Sequence, residues 1–304
     1  MVGETHMTMK IITLTLSPAV DVEFHLGGDV DPVGLNRSVD QQITAGGKGI
    51  NVSRSIMNEA KKDGVGTDFL VTVAPVGGVC GEIIESILAD EGIPLTAVKI
   101  ANNTRLNASL IPPDGKSEEI NAPGTPIGDA KDEIEKVVLS LVGRGDTVII
   151  AGSTPKDVEK SYPAKLIAEI HKRGGYAVLD CDGEALRLAV TGDESGRPDL
   201  IKPNTDELCE LTGMPTGTVD EVFAAAGTLS GITVITTMAG DGSVLTSGGK
   251  SEFYPTEKRR VVRLKGAGDT FLGAFVYANR YKGLSPDGAM TRANATASAY
   301  VAGE

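Results

Sequence analysis

Several residue types with specialised functions are scarce in this sequence of 304 residues. Tryptophan is absent and aromatic residues make up only 4%, which argues against the stacking surfaces that bind bases or sugars. The three cysteines and three histidines lie far apart, so we expect free thiols, no disulfide framework and no zinc site. Lys and Arg number 29 against 41 Asp and Glu, and the net charge of −12 argues against nucleic acid as a partner.

Long hydrophobic runs are also missing. The apolar stretches at residues 137–142 and 271–278 are much shorter than the ~20 residues that a membrane-spanning helix needs. The N-terminal segment MVGETHMTMK is polar and does not resemble a signal peptide. We therefore expect a cytoplasmic protein with no membrane partner. Neither a P-loop nor a GxGxxG dinucleotide fingerprint is present.

Glycine is the residue type in excess. The sequence contains 38 glycines, roughly twice the average share. Glycines without a collagen period mark tight turns and places where the backbone approaches a ligand. Hydrophobic residues at 40% and charged residues at 23% are ordinary values for a globular chain that buries a core.

Strand-like and helix-like segments alternate along most of the chain. Short β-branched apolar runs predict strands at residues 11–16, 69–74, 147–151, 176–180, 200–201 and 233–237. Apolar residues spaced three or four apart predict helices at 50–62, around 83–88, and at 131–142, 162–173, 219–229, 268–281 and 286–301. Repeated β-α units with continuously apolar strands predict an α/β fold, in which helices cover both faces of a parallel sheet.

Two segments, at about residues 21–44 and 104–121, lack helical periodicity. Both contain alternating stretches, and the second includes a turn sequence at residues 112–115. We expect them to form a small antiparallel sheet that acts as a lid and excludes water during group transfer. No linker-like segment interrupts the chain, so residues 1–304 are predicted to form one domain carrying this lid.

The segment from Lys265 to Asp269 places Gly266 and Gly268 at the start of a predicted helix. Backbone N–H groups at a helix N-terminus can bind an anion such as a transferring phosphoryl group. Asp269 would lie at the rim, where a carboxylate can accept the proton of an attacking hydroxyl. The alternative is a tight turn in which Asp269 only caps the helix.

Two other polar segments adjoin predicted helices. In residues 45–52, three glycines surround Lys48 and precede Asn51, an arrangement that could hold a small polar ligand or form a simple turn with a solvated lysine. In residues 202–208, Asn204 and Glu207 follow a strand and could bind hydrated Mg²⁺ and triphosphate oxygens. Alternatively, these residues are acidic and polar groups that stabilise a helix start.

The three segments together resemble the PfkB (ribokinase-like) family of carbohydrate kinases. GGKGIN at 46–51 resembles its N-terminal signature, GAGDTFLGAF at 266–275 resembles its C-terminal signature, and KPNTDEL lies between them. The resemblance extends from Ile11 to the end of the chain. Within the family, the segments LSPAVD, TRLN, EINAPG and AGSTP are most similar to the hexose-phosphate branch, which includes 1-phosphofructokinases and tagatose-6-phosphate kinases.

The resemblance implies a Rossmann-type core with a β-lid, Mg²⁺ and ATP as phosphoryl donor, and a homodimer formed through the lids. It implies that Asp269 is the catalytic base and that Gly266, Ala267 and Gly268 form the anion hole. Matching sugar-binding positions are Asp21, Gly46, Gly47, Lys48 and Asn51, with Arg105, Asn107 and Arg37 near the substrate phosphate or in the lid. Matching nucleotide positions are Lys202, Asn204, Glu207, Thr237, Gly240 and Gly242, with Glu207 holding Mg²⁺ through water.

The implied reaction is the phosphorylation of fructose 1-phosphate to fructose 1,6-bisphosphate, with tagatose 6-phosphate and fructose 6-phosphate as alternative acceptors. A kinase for a neutral sugar or nucleoside would not need Arg105. A sugar-phosphate-binding regulator without catalysis would not need Asp269 between its glycines. Three places depart from the family pattern. Leu264-Lys265 stand where Thr-Val or similar is usual, Ala239 stands where a glycine is usual, and Ser17 stands where an asparagine is usual. Lys265 either approaches the ATP phosphates or belongs to a solvated basic strand at residues 258–263.

Overall fold

This computed structural model describes residues 9–114 and 117–304, which contain two β-sheets and nine α-helices. The strands are β1 (Ile11–Thr15), β2 (Ala19–Leu26), β3 (Ser38–Gly46), β4 (Leu70–Val76), β5 (Leu95–Lys99), β6 (Arg105–Ile111), β7 (Glu118–Ile120), β8 (Thr147–Ala151), β9 (Tyr176–Asp180), β10 (Leu200–Ile201), β11 (Thr233–Thr237), β12 (Gly242–Ser247) and β13 (Lys250–Pro255). The helices are α1 (Lys48–Lys62), α2 (Gly78–Glu91), α3 (Ala130–Leu141), α4 (Tyr162–Lys172), α5 (Gly183–Thr191), α6 (Thr205–Thr212), α7 (Val219–Gly227), α8 (Ala267–Val276) and α9 (Pro286–Ala302).

The main sheet has nine strands in the order β13-β12-β11-β10-β9-β8-β1-β4-β5. From β11 to β5, every neighbouring pair is parallel, and β12 and β13 add an antiparallel hairpin at one edge. Strands β1 and β8 are buried throughout, because helices cover both sides of them.

Two hydrophobic cores lie on opposite faces of this sheet. Ile11 belongs to a core with apolar residues of α1, α2, α8 and α9, whereas the adjacent Ile12 belongs to a core with α3 to α7. The alternation follows from the two-residue period of a strand, which sends successive side chains to opposite faces. The predicted α/β fold with helices on both faces is therefore confirmed.

The small sheet consists of four strands in the order β3-β2-β6-β7 and is separate from the main sheet, as predicted. Its outer pairs, β2-β3 and β6-β7, are antiparallel. Its central pair, β2-β6, is parallel, because the chain passes through α1, β4, α2 and β5 between these two strands. The predicted turn at residues 112–115 includes Gly115, which lies outside the described residues.

Most predicted elements of the main sheet match the structure closely, and strands β8, β9, β10 and β11 have the predicted bounds. The sequence patterns did not predict β5, α5 or the β12-β13 hairpin, and they indicated α6 only as the alternative role of Asn204 and Glu207. The helix predicted at 268–281 ends as an α-helix at Val276 and continues as a π-helical turn, Tyr277–Tyr281. In residues 9–114 and 117–304, none of the helices combines the length and hydropathy required to cross a membrane.

Candidate active site

A polar cleft forms where the carboxyl ends of the parallel strands meet the first turns of α1 and α8. Asp269 lies in the first turn of α8 and is 8% exposed. Its Oδ2 accepts a 2.8 Å hydrogen bond from the side-chain amide of Asn51 in α1. The structure thus joins two of the three motif segments, which are 218 residues apart, through one contact.

The helix start before Asp269 has the geometry of an anion site. Gly266 is the N-cap of α8, and no side chain caps the helix. The Ala267 N–H donates to the Leu264 carbonyl at 3.1 Å, so the N–H groups that follow it, those of Gly268 and Asp269, are the candidates to bind an anion. Gly266 has a φ of 86°, and a Cβ there would lie 2.8 Å from the Tyr300 hydroxyl oxygen. A side chain is therefore excluded both by backbone conformation and by space. The alternative in which Asp269 only caps the helix is wrong, because the N-cap is Gly266 and the Asp269 carboxylate accepts from Asn51 instead.

Asp180, which sequence analysis did not select, lies at the centre of the charged groups. It is the last residue of β9, and its side chain is fully buried. Its Oδ1 lies 3.3 Å from Lys48 Nζ, and its Oδ2 lies 3.4 Å from Lys202 Nζ. The signal in the sequence was its place at the carboxyl end of a buried parallel strand, where ligand-facing groups collect.

The charged groups in the cleft shift the pKa values of Asp269 and Lys48. Burial, with Asp180 nearby, raises the pKa of Asp269 to about 6, although the Asn51 hydrogen bond and the charges of Lys202 and Lys48 oppose this. Burial disfavours the charge on Lys48, but Asp180, Glu207 and Asp269 outweigh it and raise the pKa of this lysine. Lys48 thus stays a cation and is not the solvated turn lysine of the alternative interpretation.

The small sheet contributes a second group of polar residues. Asp21 on β2 accepts a 2.7 Å hydrogen bond from the Asn107 side-chain amide on β6, which is paired directly with it in the sheet. A Cβ at Gly46 would lie 2.3 Å from Asp21 Oδ2, so this glycine makes room for the carboxylate. Lys265 Nζ lies 3.3 Å from the same oxygen atom.

The position of Lys265 corrects both expectations for it. Residues 256–265 do not form a strand, and the Lys265 ammonium group points to Asp21 rather than to the nucleotide-side residues. The chain before Gly266 follows the end of α9, since the N–H groups of Val262 and Arg263 donate to the carbonyl of Val301. This course of the backbone is a tertiary feature, which the basic composition of the segment does not reveal.

Arg105 lies where the small sheet meets the core. Its guanidinium donates to the carbonyls of Ala122 (3.1 Å) and Ser17 (3.2 Å), and its Nε is buried without a hydrogen-bond partner. Burial lowers its pKa, while the nearby charge of Asp21 raises it. Because these hydrogen bonds go to neutral carbonyls, Arg105 brings a positive charge to this end of the cleft.

The segment after β10 forms a helix start with a capping box. Asn204 Oδ1 accepts from the Glu207 N–H at 2.8 Å, and Glu207 Oε2 accepts from the Asn204 N–H at the same distance. The other carboxylate oxygen of Glu207, Oε1, lies 4.0 Å from Lys48 Nζ. Asn204 and Glu207 therefore do stabilise a helix start, as the alternative interpretation of the sequence expected. Glu207 Oε1 nevertheless faces the cleft.

The donor set fits a magnesium ion only in part. Among the described residues, no group of three or more His, Cys, Asp or Glu side chains is arranged to hold a metal. Mg²⁺ needs no such cage, because it commonly binds substrate phosphates, waters and one or two carboxylates. Glu207, with one oxygen atom outside the capping box, suits that limited role.

The loop after β11 lies beside Asn204. Thr237 forms a parallel bridge with Asn204, and its N–H donates to the Pro203 carbonyl at 3.1 Å. Gly242 has a φ of 134°, and a Cβ there would lie 2.2 Å from the Tyr254 carbonyl oxygen, so local structure alone requires this glycine. A Cβ at Gly240 would meet nothing within 4 Å.

Other predicted site residues differ in how closely the structure ties them to the cleft. Gly47 precedes α1 with a φ of 127°, and Gly268 is close to Lys202 Nζ, which a Cβ would approach to 3.3 Å. Ala267 is the first residue of α8. Arg37 lies in the exposed chain between β2 and β3, where the structure of the described residues gives it no hydrogen bond or ion pair.

An α/β core with a buried carboxylate beside a glycine-lined anion site is the arrangement of a phosphotransferase with an alcohol acceptor. Residues 19–303 match the family described as pfkB family carbohydrate kinase, and the chain belongs to this family. It is 33% identical over 269 residues to a 1-phosphofructokinase of Bacillus subtilis, covering 88% of this chain and 84% of the relative. It is also 33% identical over 218 residues to a tagatose-6-phosphate kinase of Staphylococcus epidermidis, covering 71% and 66%.

A solved structure shows the same fold. Phosphofructokinase-2 from Escherichia coli in complex with substrates and products has a TM-score of 0.88 to this chain at 28% identity, with 96% of this chain and 93% of that chain covered. The predicted family and fold class are therefore confirmed.

Proposed function

We propose that this carbohydrate kinase transfers the γ-phosphoryl group of ATP to fructose 1-phosphate, forming ADP and fructose 1,6-bisphosphate. The observation that carries the proposal is the buried Asp269 carboxylate, held by Asn51 at a helix start that no side chain caps. The name of the B. subtilis relative supports the choice of acceptor. Tagatose 6-phosphate and fructose 6-phosphate are the alternative acceptors.

Asp269 supplies the general base. The acceptor hydroxyl oxygen forms a bond to the γ-phosphorus while the bond from that phosphorus to the β,γ-bridging oxygen breaks, and ADP leaves with the bond electrons. The hydroxyl proton passes to the Asp269 carboxylate. A carboxylate with a pKa near 6 is ionised at neutral pH and is basic enough to accept that proton.

The neighbouring groups stabilise the negative charge of the transferring phosphoryl group. We assign the N–H groups at the start of α8 to the anion hole, and Lys48 and Lys202 to the phosphate side of the cleft. Asp180 lies between these lysines and fixes their ammonium groups. Such preorganised donors lower the barrier because they need no rearrangement as charge develops.

ATP lies, in this proposal, along the carboxyl ends of β10 and β11. Asn204, Glu207, Thr237 and the turn with Gly240 and Gly242 line that side. A bound Mg²⁺ would neutralise phosphate charge, and Glu207 would hold it through water. The local charges support this role for a cation, since the two lysines face three carboxylates, Asp180, Glu207 and Asp269.

The acceptor lies on the opposite side, under the small sheet, which acts as the lid. Asp21 and Asn107 bind sugar hydroxyls, and Arg105 provides a cation for the acceptor phosphate. Arg37, in the exposed lid loop, is a candidate to reach a ligand when the lid moves. The absence of a side chain at Gly46 leaves room for the Asp21 carboxylate, and this supports a sugar-binding role for Asp21.

The small sheet also carries an exposed apolar surface, which we propose as the homodimer interface. Ile43, Val22, Ala108 and Ile120 form one row across its four strands, in which Val22 is buried against the core and the two isoleucines at the ends are exposed. Ile43 and Ile120 are 45% and 65% exposed, and Leu106 on the same face is 45% exposed. A second copy of the same sheet would cover these side chains, as the implied lid-to-lid dimer requires.

The base assignment is tested by replacing Asp269 with asparagine. Asp269→Asn should lower kcat by at least ~10²-fold, because an amide cannot accept the proton. Asp132→Asn, on the exposed surface of α3, is the matched control and should retain wild-type kcat. Thermal unfolding of both variants checks the fold. A folded Asp269→Asn enzyme with kcat within about threefold of wild type would contradict the assignment.

A further inference from the structure

The backbone of Lys265 is held firmly between the anion site and the end of α9. Its carbonyl accepts a 2.8 Å hydrogen bond from the Tyr300 hydroxyl. The guanidinium of Arg263 stacks over the Tyr300 ring at 4.0 Å and donates to the Tyr300 carbonyl. The next residue, Gly266, is fixed in the left-handed region. The side chain of Lys265 therefore starts from a defined point when it extends to the small sheet.

The ammonium group of Lys265 meets the carboxylate that faces the acceptor. Its Nζ lies 3.3 Å from Asp21 Oδ2, while Asn107 occupies Oδ1. Throughout residues 9–114 and 117–304, no other cation lies within ion-pairing distance of Asp21. The Lys265 side chain is 45% exposed, and an ammonium group has three N–H donors, so it can serve Asp21 and still face solvent or a ligand.

Without Lys265, the Arg105 cation would still lie on the acceptor side of the cleft, but two carboxylates, Asp21 and Glu23, would outnumber it. Asp21 shares its face of β2 with Glu23, two residues further along the strand. A phosphorylated sugar brings further negative charge, and like charges in a partly enclosed site repel strongly. The Asp21 carboxylate offers two acceptor oxygens to sugar hydroxyls, where a neutral amide would offer one, so its capacity to bind hydroxyls comes with a negative charge.

We infer that Lys265 is a specificity-determining residue, which offsets the charge of Asp21 and so allows an anionic acceptor to bind beside a carboxylate. The inference rests on the proposed function, because it concerns the acceptor of that reaction. In this inference the two residues have different roles. Asp21 binds sugar hydroxyls, and Lys265 reduces the electrostatic repulsion that would otherwise weaken the binding of a phosphorylated sugar. The residue acts through Asp21 and takes no part in proton transfer.

The test compares Lys265→Met with Lys265→Arg, and uses Lys250→Met as a charge-matched control on the exposed β12-β13 hairpin. In Lys265→Met, the KM for fructose 1-phosphate should rise about tenfold. Its kcat and the KM for ATP should change by less than about twofold, and the inhibition constant of neutral fructose should change as little. Lys265→Arg should restore most of the lost affinity, and kcat/KM of Lys265→Met should depend less on ionic strength than that of wild type.

Two results would overturn the role of Lys265 while leaving the proposed function intact. One is an unchanged KM for fructose 1-phosphate in Lys265→Met, and the other is an equal loss for the neutral and the phosphorylated sugar, which would indicate a merely structural effect. Failure of the wild-type enzyme to phosphorylate any hexose phosphate would instead overturn the proposed function, and the inference with it.

Discussion

Individual residues in the cleft act through their neighbours. In the proposed reaction Asp269 is suited to act as the base because its surroundings raise its pKa, and Asn51 limits that rise by a hydrogen bond to the ionised form. Asp180 is not placed to touch the transferred proton, yet it sets the positions of two lysines. The properties of each of these side chains therefore depend on the neighbouring side chain that it contacts.

The raised pKa of Asp269 predicts the pH dependence of the reaction. Because the base must be ionised, kcat/KM should fall as the pH drops through about 6. Asn51→Ala removes a hydrogen bond that favours the ionised form, so the pKa should rise further and the acidic limb should move to higher pH. The test is to measure kcat/KM between pH 5 and 8 for the wild-type enzyme and for Asn51→Ala. If the acidic limb of the Asn51→Ala profile moves to lower pH, the electrostatic explanation is contradicted.

Ala239 provides a stability test at a single residue. Its φ of 48° is the only positive value of a non-glycine residue in the described part of the chain. Such a conformation costs a residue with a Cβ about 1–2 kcal/mol, whereas glycine adds roughly 0.4–1 kcal/mol of chain entropy to the unfolded state. Ala239→Gly should therefore raise the free energy of unfolding by about 0.5 kcal/mol in urea denaturation.

The matched control for this substitution is Ala168→Gly in α4, where the backbone is helical. That variant should lose about 1 kcal/mol. A loss of stability in both variants would show that the conformation of Ala239 carries no strain.

The residues predicted from the sequence were those inside recognisable motifs. Gly266, Asp269 and Asn51 lie in two such motifs, and the structure brings them together. Asp180 and Lys265 could not be assigned in the same way, because their roles depend on contacts across 132 and 244 residues of chain. No local pattern in the sequence encodes which distant carboxylate a lysine will meet.

At the scale of elements, α1, α8 and α9 form a unit that supports the cleft. Glu59 of α1 is almost fully buried and accepts hydrogen bonds from Lys62, from Arg292 of α9 at 2.5 Å and from Thr296. Burial disfavours its charge, but these partners outweigh burial and hold the pKa of Glu59 below its ordinary value. Arg292 also pairs with Asp63 at 3.0 Å.

Removing Arg292 should destabilise the protein in a pH-dependent way. Arg292→Met leaves Glu59 buried with fewer partners and should lower the free energy of unfolding at pH 7 by about 2–3 kcal/mol. Since a lowered carboxylate pKa stabilises the fold above the ordinary pKa and loses that effect in acid, the difference from wild type should shrink at pH 4. Urea denaturation at both pH values measures it.

A surface ion pair offers the control for Arg292. Lys172→Met removes the exposed pair with Glu169 and should cost less than about 0.5 kcal/mol at either pH. An equal loss for Arg292→Met at pH 7 and pH 4 would show that packing, not charge, carries the effect.

The predicted elements were those with strong periodicity. Strands such as β8 and β9 are short, mainly apolar and bounded by turn residues, so their limits follow from composition. The β12-β13 hairpin was not predicted, because β13 mixes lysine, serine and glutamate with two aromatic residues and is an edge strand. The parallel pairing of β2 with β6 is likewise a property of topology, which local patterns do not determine.

At the scale of the whole molecule, the small sheet has two faces with different side chains, one polar and one apolar. Asp21 and Asn107 share the face toward the cleft, while Ile43, Leu106 and Ile120 lie on the opposite face. Dimerisation through the apolar face would therefore fix the lid from outside while the acceptor binds from inside.

The dimer proposal predicts the effect of one charged substitution. Ile43→Asp should shift the protein from dimer to monomer in sedimentation velocity, because a carboxylate in an apolar interface is costly to bury. Leu284→Asp, at a 41% exposed position before α9, should leave the dimer intact. A wild-type protein that sediments as a monomer at all concentrations would contradict the proposal.

The measurement that tests the central claim most directly is ADP release by the purified protein with Mg-ATP, using fructose 1-phosphate, fructose 6-phosphate, tagatose 6-phosphate, ribose and adenosine as acceptors. The account predicts turnover with fructose 1-phosphate well above that with the neutral acceptors, and formation of fructose 1,6-bisphosphate in step with ADP. Turnover only with ribose or adenosine, or ADP release that does not depend on the acceptor, would contradict it.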